Sequence, residues 1–157
     1  MQVPTIYDID LSALRARGIR GVILDLDNTI VPWGSREVGP KLPAWIASAR
    51  AADLQLCIVS NNMGSRVQSI ADRLGLPVVA GALKPRRRAI RRALVVMGTT
   101  ADATALVGDQ LLTDILGGNR LGLHTILVRP QGQREFVLTR LARLVERMLL
   151  RRDGGRR

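Results

Sequence analysis

Five short apolar runs, alternating with segments of helical period, constrain the fold of this chain more than any other feature. The runs are Gly21–Asp25, Leu56–Ser60, Pro77–Ala80, Thr104–Gly108 and Thr125–Val128. Between them, apolar side chains recur at helical spacing over Leu42–Ala52, Ser65–Leu74, Pro85–Met97 and Leu112–Leu121. A shorter helix is expected over Leu11–Arg17, with Asp10 as its N-cap and Gly18 as its stop. Strand–helix alternation with short connections implies a parallel sheet with right-handed crossovers. Strands that are apolar throughout, rather than at every second residue, are covered on both faces. The expectation is an α/β, doubly wound (Rossmann-like) sheet of five parallel strands, with helices on both faces in three layers.

At 157 residues the chain reads as one domain over 1–150, followed by a basic, flexible tail over 151–157. The lone cysteine, Cys57, rules out an internal disulfide; inside an apolar run it reads as a buried small hydrophobe. The first residues lack the basic-then-apolar pattern of a secretory signal. No apolar run approaches the roughly 20 residues that cross a bilayer. A cytoplasmic protein is expected, with peripheral contact at the inner face of the membrane as a further reading.

The net charge is +11, and its placement matters more than its size. Lys84–Arg92 carries six positive charges and no acid, and 129–157 carries nine arginines against three acids. Clustered basic charge points to an anionic partner, either phospholipid or nucleic acid. With 3% aromatic residues there is little to stack on bases, which weighs against nucleic acid. On the helix after Lys84, Ile90, Ala93, Leu94 and Met97 form an apolar stripe, while Arg87, Arg88, Arg91 and Arg92 take other faces. The pattern Val137/Leu138, Leu141, Leu144/Val145, Met148/Leu149 is also helical, suited to docking on its own domain or lying in a lipid interface. Trp33 and Trp45 read as ordinary packing or as interface anchors.

Polar residues at the ends of the runs carry the chemistry. Asp25-Leu26-Asp27-Asn28-Thr29 follows the first run, Ser60-Asn61-Asn62 the second, and Gly108-Asp109 with Asp114 the fourth; Lys84-Pro85 opens a helix. Asp25, Ser60 and Asp109 all fall at the carboxyl ends of expected strands, the edge where open parallel sheets bind ligands. Charge pushed from a buried strand into such a loop is costly unless a cation or substrate requires it. The set reads as a magnesium-dependent phosphoryl-transfer site. Asp25 would attack phosphorus, giving an aspartyl-phosphate, and Asp27 would act as acid and then base. The Ser60 hydroxyl and the Asn61 N–H would hold the phosphoryl oxygens, with Lys84 neutralising their charge. Asp109 and Asp114 would complete an oxygen-rich Mg²⁺ site.

The order D-x-D-N-T, S-N, K-P, G-D-x-x-x-x-D resembles the haloacid dehalogenase (HAD)-like phosphatase superfamily. Gly18-Ile19 through Trp33, Gly108–Asp114 and Gly117-Gly118-Asn119-Arg120 are similar to its YqeG-type branch of subfamily IIIA, which resembles the phosphatidylglycerophosphate phosphatases. The resemblance implies Asp25 as nucleophile and Asp27 as acid/base. It also implies a metal held by Asp25, Asp109 and the Asp27 backbone carbonyl. Only 32 residues lie between Asp27 and Ser60 and 23 between Ser60 and Lys84, too few for an inserted cap domain. Capless members generally act on large or surface-bound substrates, so phosphatidylglycerophosphate at an anionic membrane is the specific expectation. Its rivals are a nucleic-acid-end phosphatase and a non-catalytic basic binding or assembly factor that keeps the frame.

Overall fold

The computed structural model describes residues 1–84 and 87–131. Six strands form one sheet: β1 (Gln2–Val3), β2 (Gly21–Leu24), β3 (Gln55–Val59), β4 (Val78–Val79), β5 (Thr104–Gly108) and β6 (His124–Val128). Their order is β1-β6-β5-β2-β3-β4, and every pairing is parallel. The five expected strands are present, and β1 corrects the count to six. Gln2 and Val3 pair with Leu127 and Val128, and beyond them Pro4 C=O accepts from Arg129 N–H at 3.1 Å. Two residues carry no periodicity, so partnership with β6 makes this strand rather than its own pattern.

Alternate residues of the central strands point to opposite faces and build two separate cores. Val22, Leu24, Leu56, Ile58, Ala105 and Val107 pack with the helices α2 (Lys41–Ala51) and α3 (Ser65–Leu74). Ile23, Cys57, Val59 and Leu106 pack on the other side with Ile90, Ala93 and Met97 of α4 (Arg87–Met97). The result is the expected three-layer, doubly wound architecture. Before β2 runs the short helix α1 (Leu11–Ala16), capped by Asp10, whose carboxylate accepts from Ala13 N–H at 2.9 Å. Cys57 is buried, and so is Trp45, which settles Trp45 as packing.

The segment after β5 departs from expectation. Instead of one helix over 112–121, Leu111–Ile115 forms a wide π-helical turn and Leu116–Asn119 one α-turn. Gly118 lies against the sheet, where a Cβ would meet Thr125 Cγ2 at 2.6 Å, so the short helix approaches closely at the cost of helix propensity. Neither the interval 28–59 nor 61–83 holds more than loop, one helix and one strand, so no cap is inserted there. Pro85, Arg86, the helical pattern over 137–149 and the tail over 151–157 lie outside the described residues.

The strand order reverses between β2 and β5, which run side by side. Gly21 to Leu24 pair with Thr104 to Val107, and Asp25 N–H continues the ladder to Val107 C=O at 2.9 Å. Asp25 therefore stands opposite Gly108, with Asp109 one residue beyond. That is the crevice where an open α/β sheet binds its ligand.

Candidate active site

Four separated segments bring their polar residues to this crevice, and Asp25, Asp27, Ser60, Lys84, Asp109 and Asp114 are all buried. Lys84 is the hub. Its ammonium group donates to Asp25 Oδ1 and, at 2.7 Å, to Asp114 Oδ1. Its backbone N–H donates to Asn61 Oδ1 at 2.7 Å, so the Asn61 side chain ties the β3 loop to the lysine loop. Asp114 reaches back from the π-helical turn, where its Oδ2 accepts from Gln110 N–H at 3.2 Å. The wide turn and Gly108 belong together, since a Cβ at Gly108 would collide with the Asp114 carboxylate.

Thr29 bridges the two strand ends: its hydroxyl lies 3.3 Å from Asp25 Oδ2 and 3.4 Å from Asp109 Oδ1. Asp109 Oδ2 is buried with no hydrogen-bond partner. Carboxylate oxygens of Asp25, Asp109 and Asp114 all lie within 4.8 Å of one another. Three carboxylates against one ammonium leave a formal excess of negative charge, and burial makes that excess costly. Burial, together with Asp114 and Asp109, pushes Asp25 up to about 7 despite the opposing pull of Lys84. Burial and then Asp114 raise Asp109 to about 6. Burial alone would lower Lys84, but the Asp25 and Asp114 carboxylates outweigh it and hold the ammonium above its usual range. An unpartnered carboxylate oxygen in an all-oxygen, net-negative cluster fits a hard divalent cation.

Asp27 lies in the same crevice but in different company. Arg66 Nη2 donates to its Oδ1 and Oδ2 at 2.7 and 2.8 Å, Asn62 Nδ2 to Oδ2 at 2.6 Å, and Gly34 N–H to Oδ1 at 3.2 Å. Arg66 is itself anchored by Ser35 C=O at 2.8 Å. The Asp27 side chain is therefore not part of the three-carboxylate cluster. Asn28 takes a left-handed backbone, φ 63°, and its Oδ1 accepts from Trp33 N–H at 3.1 Å, which folds the loop over the crevice. Ser60 directly follows β3, its hydroxyl accepting from Asn62 N–H at 3.1 Å. Asp25, Asp27, Trp33, Ser60, Asn61, Asn62 and Gln110 line the resulting shallow slot. A wider recess, around Arg50, Asp53 and Gly75–Pro77, lies where β3 begins and contains none of these groups.

Comparison with known proteins decides the family. The HAD-hydrolase-like family model matches residues 82–141, which include Lys84, Asp109 and Asp114. The Bacillus subtilis protein named "Probable phosphatase YqeG" is 40% identical over 148 residues, covering 94% of this chain and 86% of its own length. The chain belongs to the YqeG-type HAD phosphatases. Phosphatidylglycerophosphate phosphatase 1 of the Chlamydomonas reinhardtii chloroplast is 32% identical over 83% of this HAD chain, which spans 52% of that relative's length. Among solved structures, the cobalt-bound deoxy-D-mannose-octulosonate 8-phosphate phosphatase of Haemophilus influenzae shares the fold. Its TM-score is 0.56 at 18% identity, covering 74% of this chain and 82% of that one.

The sequence pattern of this HAD phosphatase places Asp25, Ser60 and Asp109 on one edge, and the structure adds Asp27, Lys84 and Asp114 there, but the motifs do not by themselves mark Thr29, Asn62 and Arg66 as neighbours of the aspartates. Arg66 offered a signal. It lies in the first turn of α3, where the helix dipole disfavours a cation unless a carboxylate waits there.

Proposed function

We propose that this phosphatase is a Mg²⁺-dependent phosphomonoester hydrolase working through an aspartyl-phosphate, with phosphatidylglycerophosphate at an anionic membrane as substrate. The observation that carries the reading is the meeting of Asp25, Lys84, Asp109 and Asp114 around an unpartnered carboxylate oxygen. Asp25, Asp109 and Asp114, with the Asp27 backbone carbonyl, would hold the ion. When bound, it supplies positive charge to the phosphoryl oxygens and offsets the repulsion among the carboxylates.

An Asp25 oxygen attacks phosphorus as the bond to the leaving alcohol breaks, and Asp27 protonates that alcohol. In the second half, Asp27 takes a proton from the water that attacks the aspartyl-phosphate, releasing inorganic phosphate. The grip of Arg66 and Asn62 orients the Asp27 side chain for this second, basic role. For the first role one of its oxygens must carry a proton, so entry of substrate has to loosen Arg66 on that side. Ser60 and the Asn61 N–H bind the phosphoryl oxygens, and Lys84 balances their charge in the transition state.

Support for the lipid comes from the named activity of the chloroplast relative, from the shallow slot without a cap, and from the basic α4 beside it. The test is phosphate release from phosphatidylglycerophosphate in mixed vesicles, wild type against Asp25→Asn. Release that requires both magnesium and Asp25 is expected. Asp25-dependent cleavage of an aryl phosphate without release from the lipid would discard the lipid and keep the phosphatase.

A further inference from the structure

Seven large apolar side chains stand well exposed among the described residues, and four of them crown the catalytic slot. Trp33 (50% exposed) follows β2, Met63 (80%) follows β3, Leu83 (60%) follows β4 and Leu111 (58%) follows β5. Each loop uses neighbouring positions in opposite ways. Asn62 lines the slot and Met63 is exposed; Lys84 is buried in the acid cluster and Leu83 is exposed; Gln110 lines the slot and Leu111 is exposed. Leu83 does so in a left-handed backbone, φ 49°, a conformation unfavourable for a leucine. Met63 lies over Gly81, whose Cβ would meet Met63 Cγ at 2.9 Å, so these two parts of the rim are contiguous.

A site that encloses a small metabolite places its apolar side chains inside the pocket. Here, Trp33 apart, polar residues line the slot and the exposed apolar groups surround it, which suits a partner that is itself apolar beyond a charged surface. The first turns of α4, which begin just after Lys84, add exposed Arg87, Arg88, Arg91 and Arg92 with no acid among them. We propose that this rim docks on an anionic phospholipid bilayer. Met63, Leu83 and Leu111 enter the headgroup–acyl boundary, the arginines meet anionic headgroups, and the slot faces the lipid. The proposal rests on reading the site as a lipid phosphatase and adds how it reaches its substrate.

The test is sedimentation of the full chain with phosphatidylcholine vesicles, with and without phosphatidylglycerol. The wild type is compared with the triple variant Met63→Gln, Leu83→Asn, Leu111→Gln; asparagine tolerates the backbone at 83. Wild type should bind the anionic vesicles and be released by salt, and the triple variant should bind about tenfold more weakly or less. Its hydrolysis of a soluble aryl phosphate should match wild type, since none of the three side chains lies in the catalytic slot. Equal vesicle binding by the two proteins, or none by wild type, overturns the proposal. So does a dimer in solution that the triple variant abolishes, which would assign the rim to a second copy. Absence of aryl-phosphate turnover in wild type would instead count against the phosphatase reading, because vesicle binding needs no turnover. A second readout requires no variant: Trp45 is buried, so bromine-labelled acyl chains should quench Trp33 fluorescence, and failure to quench also overturns docking.

Discussion

Asp25 and Asp27 are two residues apart on one loop, yet their surroundings are nearly opposite. Asp27 receives four hydrogen bonds, two of them from one guanidinium group, at the wall of the slot. Asp25 shares Lys84 with Asp114, sits beside Asp109, and is pushed up to about 7 by burial first and its acidic neighbours next. One carboxylate is satisfied by protein groups and the other is left in deficit. In the proposed mechanism the deficit is where a cation and a phosphoryl group fit, and the satisfied partner is where a proton is given and taken with the Asp27 carboxyl held in place.

The largest expected effect comes from removing the deficit. Asp25→Asn should lower turnover of any phosphomonoester by roughly a thousandfold or more, because it removes the proposed nucleophile. Without metal, the same variant should melt at a higher temperature than wild type, since a costly buried charge has gone. If Asp25→Asn melts lower when metal-free, the two aspartates do not differ as described.

Next in size is Asp109→Asn, which should cost about a hundredfold in turnover and most of the rise in melting temperature on adding magnesium. The pH dependence of the metal-free protein sharpens this point. Asp25 and Asp109 are raised above their unfolded values, so they favour the folded state at low pH. That contribution is lost as pH rises through about 6 to 7. Chelated protein should therefore melt lower at about pH 8 than at about pH 5, with magnesium closing the gap. A chelated protein whose melting temperature rises over that range would contradict the charge excess.

The Asp27 side of the comparison predicts smaller effects. Arg66→Met should reduce turnover by about tenfold and stability by about 2 kcal/mol, since it removes two of the bonds to a nearly buried carboxylate. Arg66→Lys should restore charge and part of the stability but not the two-oxygen grip, leaving activity between the two. Smallest of all, Thr29→Val should cost a few-fold, because its contacts to Asp25 and Asp109 are long at 3.3 and 3.4 Å.

The same contrast explains what could be read from the chain. β5 and α3 fall where the pattern places them, and Asp25, Ser60 and Asp109 follow strands as expected, because burial on both faces writes itself into continuous apolar runs. Lys84 carried a further mark: 22 of the 24 basic residues are arginine, and one of the two lysines stands at the hub of the acid cluster. What stayed hidden depends on pairing across the chain. β1 exists through β6, and the π-helical turn exists because Asp114 must return to Gly108 and Lys84. The grip of Arg66 on Asp27 spans 39 residues, and a local pattern supplies at most a cation oddly placed at a helix start.

The most direct test of the division between the two aspartates is the position of the phosphoryl group during turnover. Asp27→Asn, given an aryl phosphate whose leaving group needs no acid, should form the aspartyl-phosphate and fail to hydrolyse it. Acid quenching and peptide mass mapping should then find the phosphoryl group on Asp25. A label on any other residue, or steady turnover with no labelled Asp25, would contradict the account.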